Sequence, residues 1–177
     1  MLPTTRSLIL AILLMVSPSL GGAADFVYRP VGLKIYQADE VVIARVPGGP
    51  MRLGVYVHSI SRELRELFEA RGAGGGFGAA IVVIARPGQL SRHWVLARTE
   101  LPTDLRSAIQ NAVDSLPTPT VRNGPVAFAV MFEAWGGGPL PTVPKPALPT
   151  PVEWLRALEK QAQYPMQDSD LDRVWLP

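Results

Sequence analysis

None of the 177 residues is a cysteine. That absence excludes disulfides, thiolate metal sites, a cysteine nucleophile and lipidation at a cysteine. Histidine is almost missing too: His58 and His93 are the only two, and they lie in separate segments. A metal site needs three or four convergent ligands, so no metal and no cofactor is expected. There is no G-x-S-x-G nucleophile elbow. The glycine-rich stretch Gly72-Ala73-Gly74-Gly75-Gly76-Phe77-Gly78 lacks the lysine that ends a Walker loop. It also follows a helical pattern and opens a strand, the reverse of a Rossmann turn, and is expected to be a connection. Clusters of one charge sign are absent. The 17 Lys and Arg and 15 Asp and Glu are scattered, for a net charge of +2. A nucleic-acid partner would need basic residues gathered on one face, so none is expected.

Long apolar runs are scarce as well. The longest, Ser7 to Val16 (SLILAILLMV), falls short of the roughly 20 residues that span a bilayer. Arg6 precedes it, and Pro18, Gly21, Gly22, Ala23 and Ala24 follow. A basic start, a short apolar core and small residues before a cut are the parts of a secretory signal. Residues 1–24 are therefore expected to be a signal peptide cleaved after Ala23 or Ala24, leaving no stable membrane span. An exported chain without disulfides fits the periplasm.

What remains reads as one domain over 25–135. Residues 41–46 (VVIARV) are β-branched and continuous, the mark of a strand. Pro47-Gly48-Gly49-Pro50 is a turn, and Met51, Leu53, Val55 and Val57 then alternate with Arg52, Gly54 and Tyr56. Period two predicts a second strand, and the pair a hairpin. Ile60, Leu64, Leu67 and Phe68 place a helix over 60–71, with Ser59 or Ser61 as cap and Gly72 as stop. Residues 79–86 (AAIVVIAR) predict a strand covered on both faces, joined by a type II turn at Pro87-Gly88 to a strand over 90–97. Leu105, Ala108, Ile109, Ala112, Val113 and Leu116 predict a helix over 104–116, capped by Thr103 and ended by Pro117 and Pro119. The last strand, 125–135, sets Val126, Phe128, Val130 and Phe132 toward a helix and Ala127, Ala129 and Met131 the other way.

Residues 136–152 are dense in Pro and Gly and predict an extended linker. A short helix over 153–163 and a polar tail close the chain. The pentapeptide VVIAR occurs at both 41–45 and 82–86, with Pro-Gly directly after the second copy and one residue later after the first, which suggests a duplicated ββα unit plus a final strand. The expected class is α+β: a small antiparallel or mixed sheet with two amphipathic helices on one face.

The stretch from Phe77 to Trp135 resembles the C-terminal domain of the TonB/TolA family. The parts that carry the likeness are AAIVVIA, RPGQ, SRHWVLA, RTELPTD, LRSAIQNAVDSL, PTPTVRNGP and VAFAVMF. The Leu116-Pro117-Thr118-Pro119 exit is the most characteristic. Energy-transducing members keep an uncleaved anchor and a Pro-rich spacer before the domain. Here the signal is cleavable and the Pro-rich stretch comes after, so the resemblance implies a free module. Where members often carry Ser-Ser-Gly before the helix, this chain has Thr99, Glu100 and Leu101.

The reading that follows is a non-enzymatic interaction module that binds an envelope protein or peptide. An unpaired sheet edge, at 126–132 or in the first hairpin, would accept an extended segment as an extra strand. Trp135, Trp154 and Trp175 are the candidate partner-binding residues, because large aromatics near or beyond a linker mark contact sites. They serve that role only if the tail does not fold back onto its own domain. One alternative is a hydrolase or ligand-binding protein with a site near His58, Ser59 and Ser61, for which the sequence offers no orienting acid; a histidine beside Glu63 or Glu100 as a metal ligand or general base is the weaker form of it. Another is docking through helix 153–163 alone. His93 is expected on a solvent-facing strand surface beside Ser91.

Overall fold

The computed structural model describes residues 26–142, 148–158 and 164–175. The predicted signal peptide lies outside the described residues. No described helix is long and apolar enough to cross a membrane.

The chain is α+β, with one antiparallel four-stranded sheet in the order β1-β4-β2-β3. In chain order the elements are β1 (Tyr28–Ile35), α1 (Asp39–Arg45), α2 (Pro50–Arg71), β2 (Phe77–Arg86), β3 (Leu90–Ala97), α3 (Thr103–Asp114), β4 (Val126–Ala134), α4 (Val152–Ala157) and α5 (Asp168–Trp175). The two long helices, α2 and α3, share one face of the sheet, as expected. Leu53, Tyr56, Ile60, Leu64 and Phe68 of α2 and Leu105, Ile109 and Val113 of α3 pack with Ile81, Val83, Phe128, Val130 and Phe132.

The first predicted hairpin is absent. Residues 41–45 lie in α1, and 51–57 are the opening turns of a 22-residue helix. The alternation in 51–57 misleads because it mixes two helical faces. Leu53 and Tyr56 are buried and continue to Ile60, Leu64 and Phe68 at steps of four, while Met51 is 81% and Val55 57% exposed. The helix thus starts before Ser59 and Ser61, which cap nothing: Ser59 Oγ donates to its own helix at Val55 O (3.2 Å). Gly72 does end it, at φ 75°.

With the hairpin goes the duplication. The same five residues, VVIAR, form a helix at 41–45 and a central strand at 82–86. The flanks decide. Asp39 and Glu40 favour the positive end of a helix and Arg45 the negative end. Val82–Ala85 instead pair with strands on both sides.

Smaller differences follow the same local logic. Arg86 pairs with Leu90, so the β2–β3 loop holds three residues, with Gly88 at φ 87° and Gln89 at φ 60°. Thr103 is the first residue of α3 and Pro102 its cap position. Strand β1 and helix α5 go unpredicted. Pro30 and Gly32 break the β signature of the first; charges crowd the second, and only Leu171 and Val174 are buried in it.

The tail folds back and covers the second face of the sheet. Leu148, Trp154, Leu158, Met166, Leu171 and Val174 pack with Val82, Ile84, Ala127 and Ala129. Arginines from the body hold α5. Arg45 forms a bidentate pair with Asp168 (2.6 and 2.7 Å), Arg86 pairs with Asp172 (2.6 Å), and Arg92 donates to the Trp175 carbonyl. The Arg86 guanidinium also lies 4.6 Å from the Trp175 ring centroid. Trp154 is fully buried, edge-on to Tyr36 and Trp94.

Trp154→Ala is expected to cost about 3–5 kcal/mol, the usual loss when a buried tryptophan is truncated, read as a lower urea midpoint. An unchanged midpoint would mean that the tail contributes nothing to the fold.

Candidate functional site

The three tryptophans proposed as partner contacts serve the chain's own core. Trp154 is enclosed under the sheet, and Trp175 is half-buried against Arg86 and Arg92. Trp135 sits at the end of β4 at φ 49° and packs edge-on to Phe68 and Phe77. A side chain at Gly74 would overlap its ring, and one at Gly76 would come within 2.5 Å of the Gly137 carbonyl. The glycine loop is therefore there for close packing against 135–137. The sequence does not show the uncovered sheet face that takes up Trp154 and Trp175.

The two histidines separate. His58 is exposed on α2, and no hydrogen bond joins it to Ser59 or Ser61 among the described residues. His93, expected in solvent, has a side chain only 6% exposed. Its Nδ1 lies 2.8 Å from Asp114 Oδ1 and its Nε2 3.3 Å from the Tyr56 hydroxyl. Burial, then the Asp114 charge, pushes the Tyr56 phenol up to about 12. The phenol keeps its proton, and with hydrogen on Nδ1 the ring would donate to Asp114 and accept from Tyr56. Both ring nitrogens are used, so this histidine ties α2, β3 and α3 together and offers no free atom to a metal or substrate. Among the described residues no group of three or more His, Asp or Glu is placed to hold a metal ion.

What the fold leaves open is the edge of the sheet. The predicted free strand, 126–132, is central, with β1 on one side and β2 on the other. The outer strands are β1 and β3. Which backbone groups face outward follows from the registers. Tyr36 N–H donates to Ala127 O (3.1 Å), so the odd-numbered residues of β4 point to β1. The even-numbered ones then point to β2, where they meet Ala79, Ile81, Val83 and Ala85. The alternate residues of β2 point to β3, opposite Leu90, Arg92, Trp94 and Leu96. The N–H and C=O groups of Ser91, His93, Val95 and Ala97 are left facing away from the sheet.

On β1 the same count puts Pro30 on the outward side, next to a register break at 30/32. A residue without N–H beside a bulge blunts an edge against further pairing. Edge β3 has neither device. It lines a groove of about 620 Å³ between α3 and the returning tail. Arg106, Ser107, Gln110 and Asn111 form one wall; Trp94, Leu96, Pro141 and Val152 form the other, with Glu153 at the rim. Sequence reasoning named none of the groove's wall residues as a site. The helical stripe of α3 was visible in the sequence, but its polar flank looks like any solvated face until β3 is placed beside it.

His93→Phe is expected to cost about 1–3 kcal/mol, since it strands a buried hydroxyl; His58→Ala should stay within about 0.5 kcal/mol. Equal losses in urea unfolding would contradict the difference drawn between the two. A second expectation concerns alkali. All four tyrosines are held above their ordinary value, chiefly by burial. The folded chain keeps these protons longer than the unfolded chain, whose phenols titrate near 10. Stability from this source is intact below pH 10 and falls as pH rises toward 12 and beyond. Phenolate absorbance should appear together with unfolding; a normal tyrosine step in the folded protein would refute this.

Compared with known proteins, the chain matches no family model, no curated protein and no solved structure.

Proposed function

We propose that this protein is a periplasmic, non-enzymatic interaction module that binds an extended segment of an envelope protein by strand addition at β3. The observation that carries the reading is the β3 edge. It presents an outward row of backbone groups, without proline or bulge, inside a groove with a wall on each side. Main-chain hydrogen bonds along such an edge supply affinity, and the walls supply selectivity for alternate side chains. A groove that takes a peptide in this way needs no catalytic group, and the buried histidine is already committed to structural bonds.

The order β2, β3, α3, β4 over Phe77–Ala134 is the order that the TonB/TolA resemblance implies, and it supports the same reading. The accepting edge differs from the one expected, because β1 covers β4. Export to the periplasm rests on the signal-like residues 1–24. Because Trp154 and Trp175 pack on the body of the fold, docking through the tail alone has less support.

The test uses Ala97→Pro. This change removes one outward N–H while leaving the β2–β3 ladder intact, and proline is tolerated on such an edge. The variant should keep the wild-type circular dichroism spectrum and lose about tenfold or more in affinity for segments selected from an array of envelope-protein peptides. Undiminished binding would rule out the β3 edge, and an array with no ligand would rule out the module.

A further inference from the structure

The β3 edge is not wholly empty. Arg106, on α3, donates from Nη1 to the carbonyl of Val95 (2.8 Å). The register places that carbonyl among the outward groups, where the N–H of an added strand would bond. The guanidinium therefore stands in for the missing strand. Among the described residues no carboxylate lies within salt-bridge distance of Arg106. Asp104, on the same helix, is paired with Arg71 (2.8 Å), and Asp114 with His93. Arg106 is thus an exposed cation that has an acceptor but, among the described residues, no counter-charge.

We infer that Arg106 is a placeholder that the ligand displaces and then binds, and that the ligand strand carries a glutamate or aspartate opposite Val95. The inference rests on the reading of β3 as the accepting edge. Every strand pair in this sheet is antiparallel, and an added antiparallel strand continues the pattern. In such a pair, opposite residues share one face. Val95 faces the α2–α3 layer, so the ligand residue opposite it points its side chain toward α3 and Arg106. One residue then does two things. Its N–H takes over the Val95 carbonyl, and its carboxylate takes up the released guanidinium. Arginine suits this exchange, since its planar fork grips a carboxylate at two points.

The acid is a side chain and not a chain terminus. Val95 is third of the four outward residues, so a strand that pairs along the row continues on both sides of it. The ligand residues on either side of the acid face the opposite wall. Trp94, Leu96 and Val152 make that wall apolar, and Glu153 at its rim opposes a second acid there. The recognised class is thus an extended segment with one acidic residue flanked by apolar ones.

The probe is a blocked peptide in which valine alternates with threonine and glutamate replaces the central threonine. It is compared with the same peptide carrying glutamine, and with the glutamate peptide N-methylated at its central residue. Titration of the full chain, followed by the amide resonances of residues 91–97, is expected to show the glutamate peptide binding about tenfold more tightly than the glutamine one. N-methylation should abolish binding. In Arg106→Gln the preference should vanish, with the glutamine peptide bound no more weakly than by wild type, because no guanidinium has to leave. If wild type and Arg106→Gln discriminate equally, the placeholder is refuted while strand addition stands. If neither peptide shifts the β3 amides, the reading of the edge itself fails.

Discussion

Strand β2 is apolar on both faces, and the rest of the fold is arranged to keep both of them dry. From Phe77 to Ala85 every residue is buried, and its neighbour β4 is nearly as enclosed. Each large side chain taken fully out of water contributes roughly 1.5–3 kcal/mol, which an open sheet face would forfeit. Helices α2 and α3 satisfy one side. The other has small residues, Ala127 and Ala129 beside Val82 and Ile84, and takes the tail. Polar groups at this boundary are bonded too: Gln37, buried, donates to Pro125 O and accepts from Ala127 N–H, both at 3.0 Å.

Covering a sheet on both faces leaves its two outer edges, and here the edges differ. β1 closes β4 and is itself blunted by Pro30 and the irregular register beside it. At β3 the two covering layers stand apart, with α3 on one side and residues 150–153 on the other, and the gap between them is the groove. The groove is thus a by-product of how the core is sealed. Its selectivity would come from residues that take no part in that seal: the polar flank of α3 and the rim of the tail.

Much of this could be read in the sequence, wherever one periodicity was strong and uncontested. The stripe Leu105–Ile109–Val113 gave α3, and the unbroken apolar run gave β2 with two buried faces. Reading failed where local pattern and partner disagreed. VVIAR is the clearest case, since no property of those five residues separates helix from strand. In 51–57 the exposed Met51 and Val55 imitate a strand face. β1 carries a proline and a glycine and becomes a strand only because β4 offers it a ladder. His93 and Arg106 are ordinary polar residues until helix and strand are brought together. Their roles depend on contacts with Asp114, Tyr56 and Val95, which the sequence does not announce.

The position of the tail has a consequence for the order of events in the cell. Residues 148–158 and 164–175 leave the ribosome after the whole sheet, yet their apolar side chains seal the face made by Val82, Ile84, Ala127 and Ala129. Until they arrive, a chain under synthesis can assemble its helices on only one side and exposes an apolar sheet on the other. Truncation by a premature stop after β4 would leave that sheet uncovered permanently. The product would be a sticky half-sandwich, a natural substrate for chaperones and proteases.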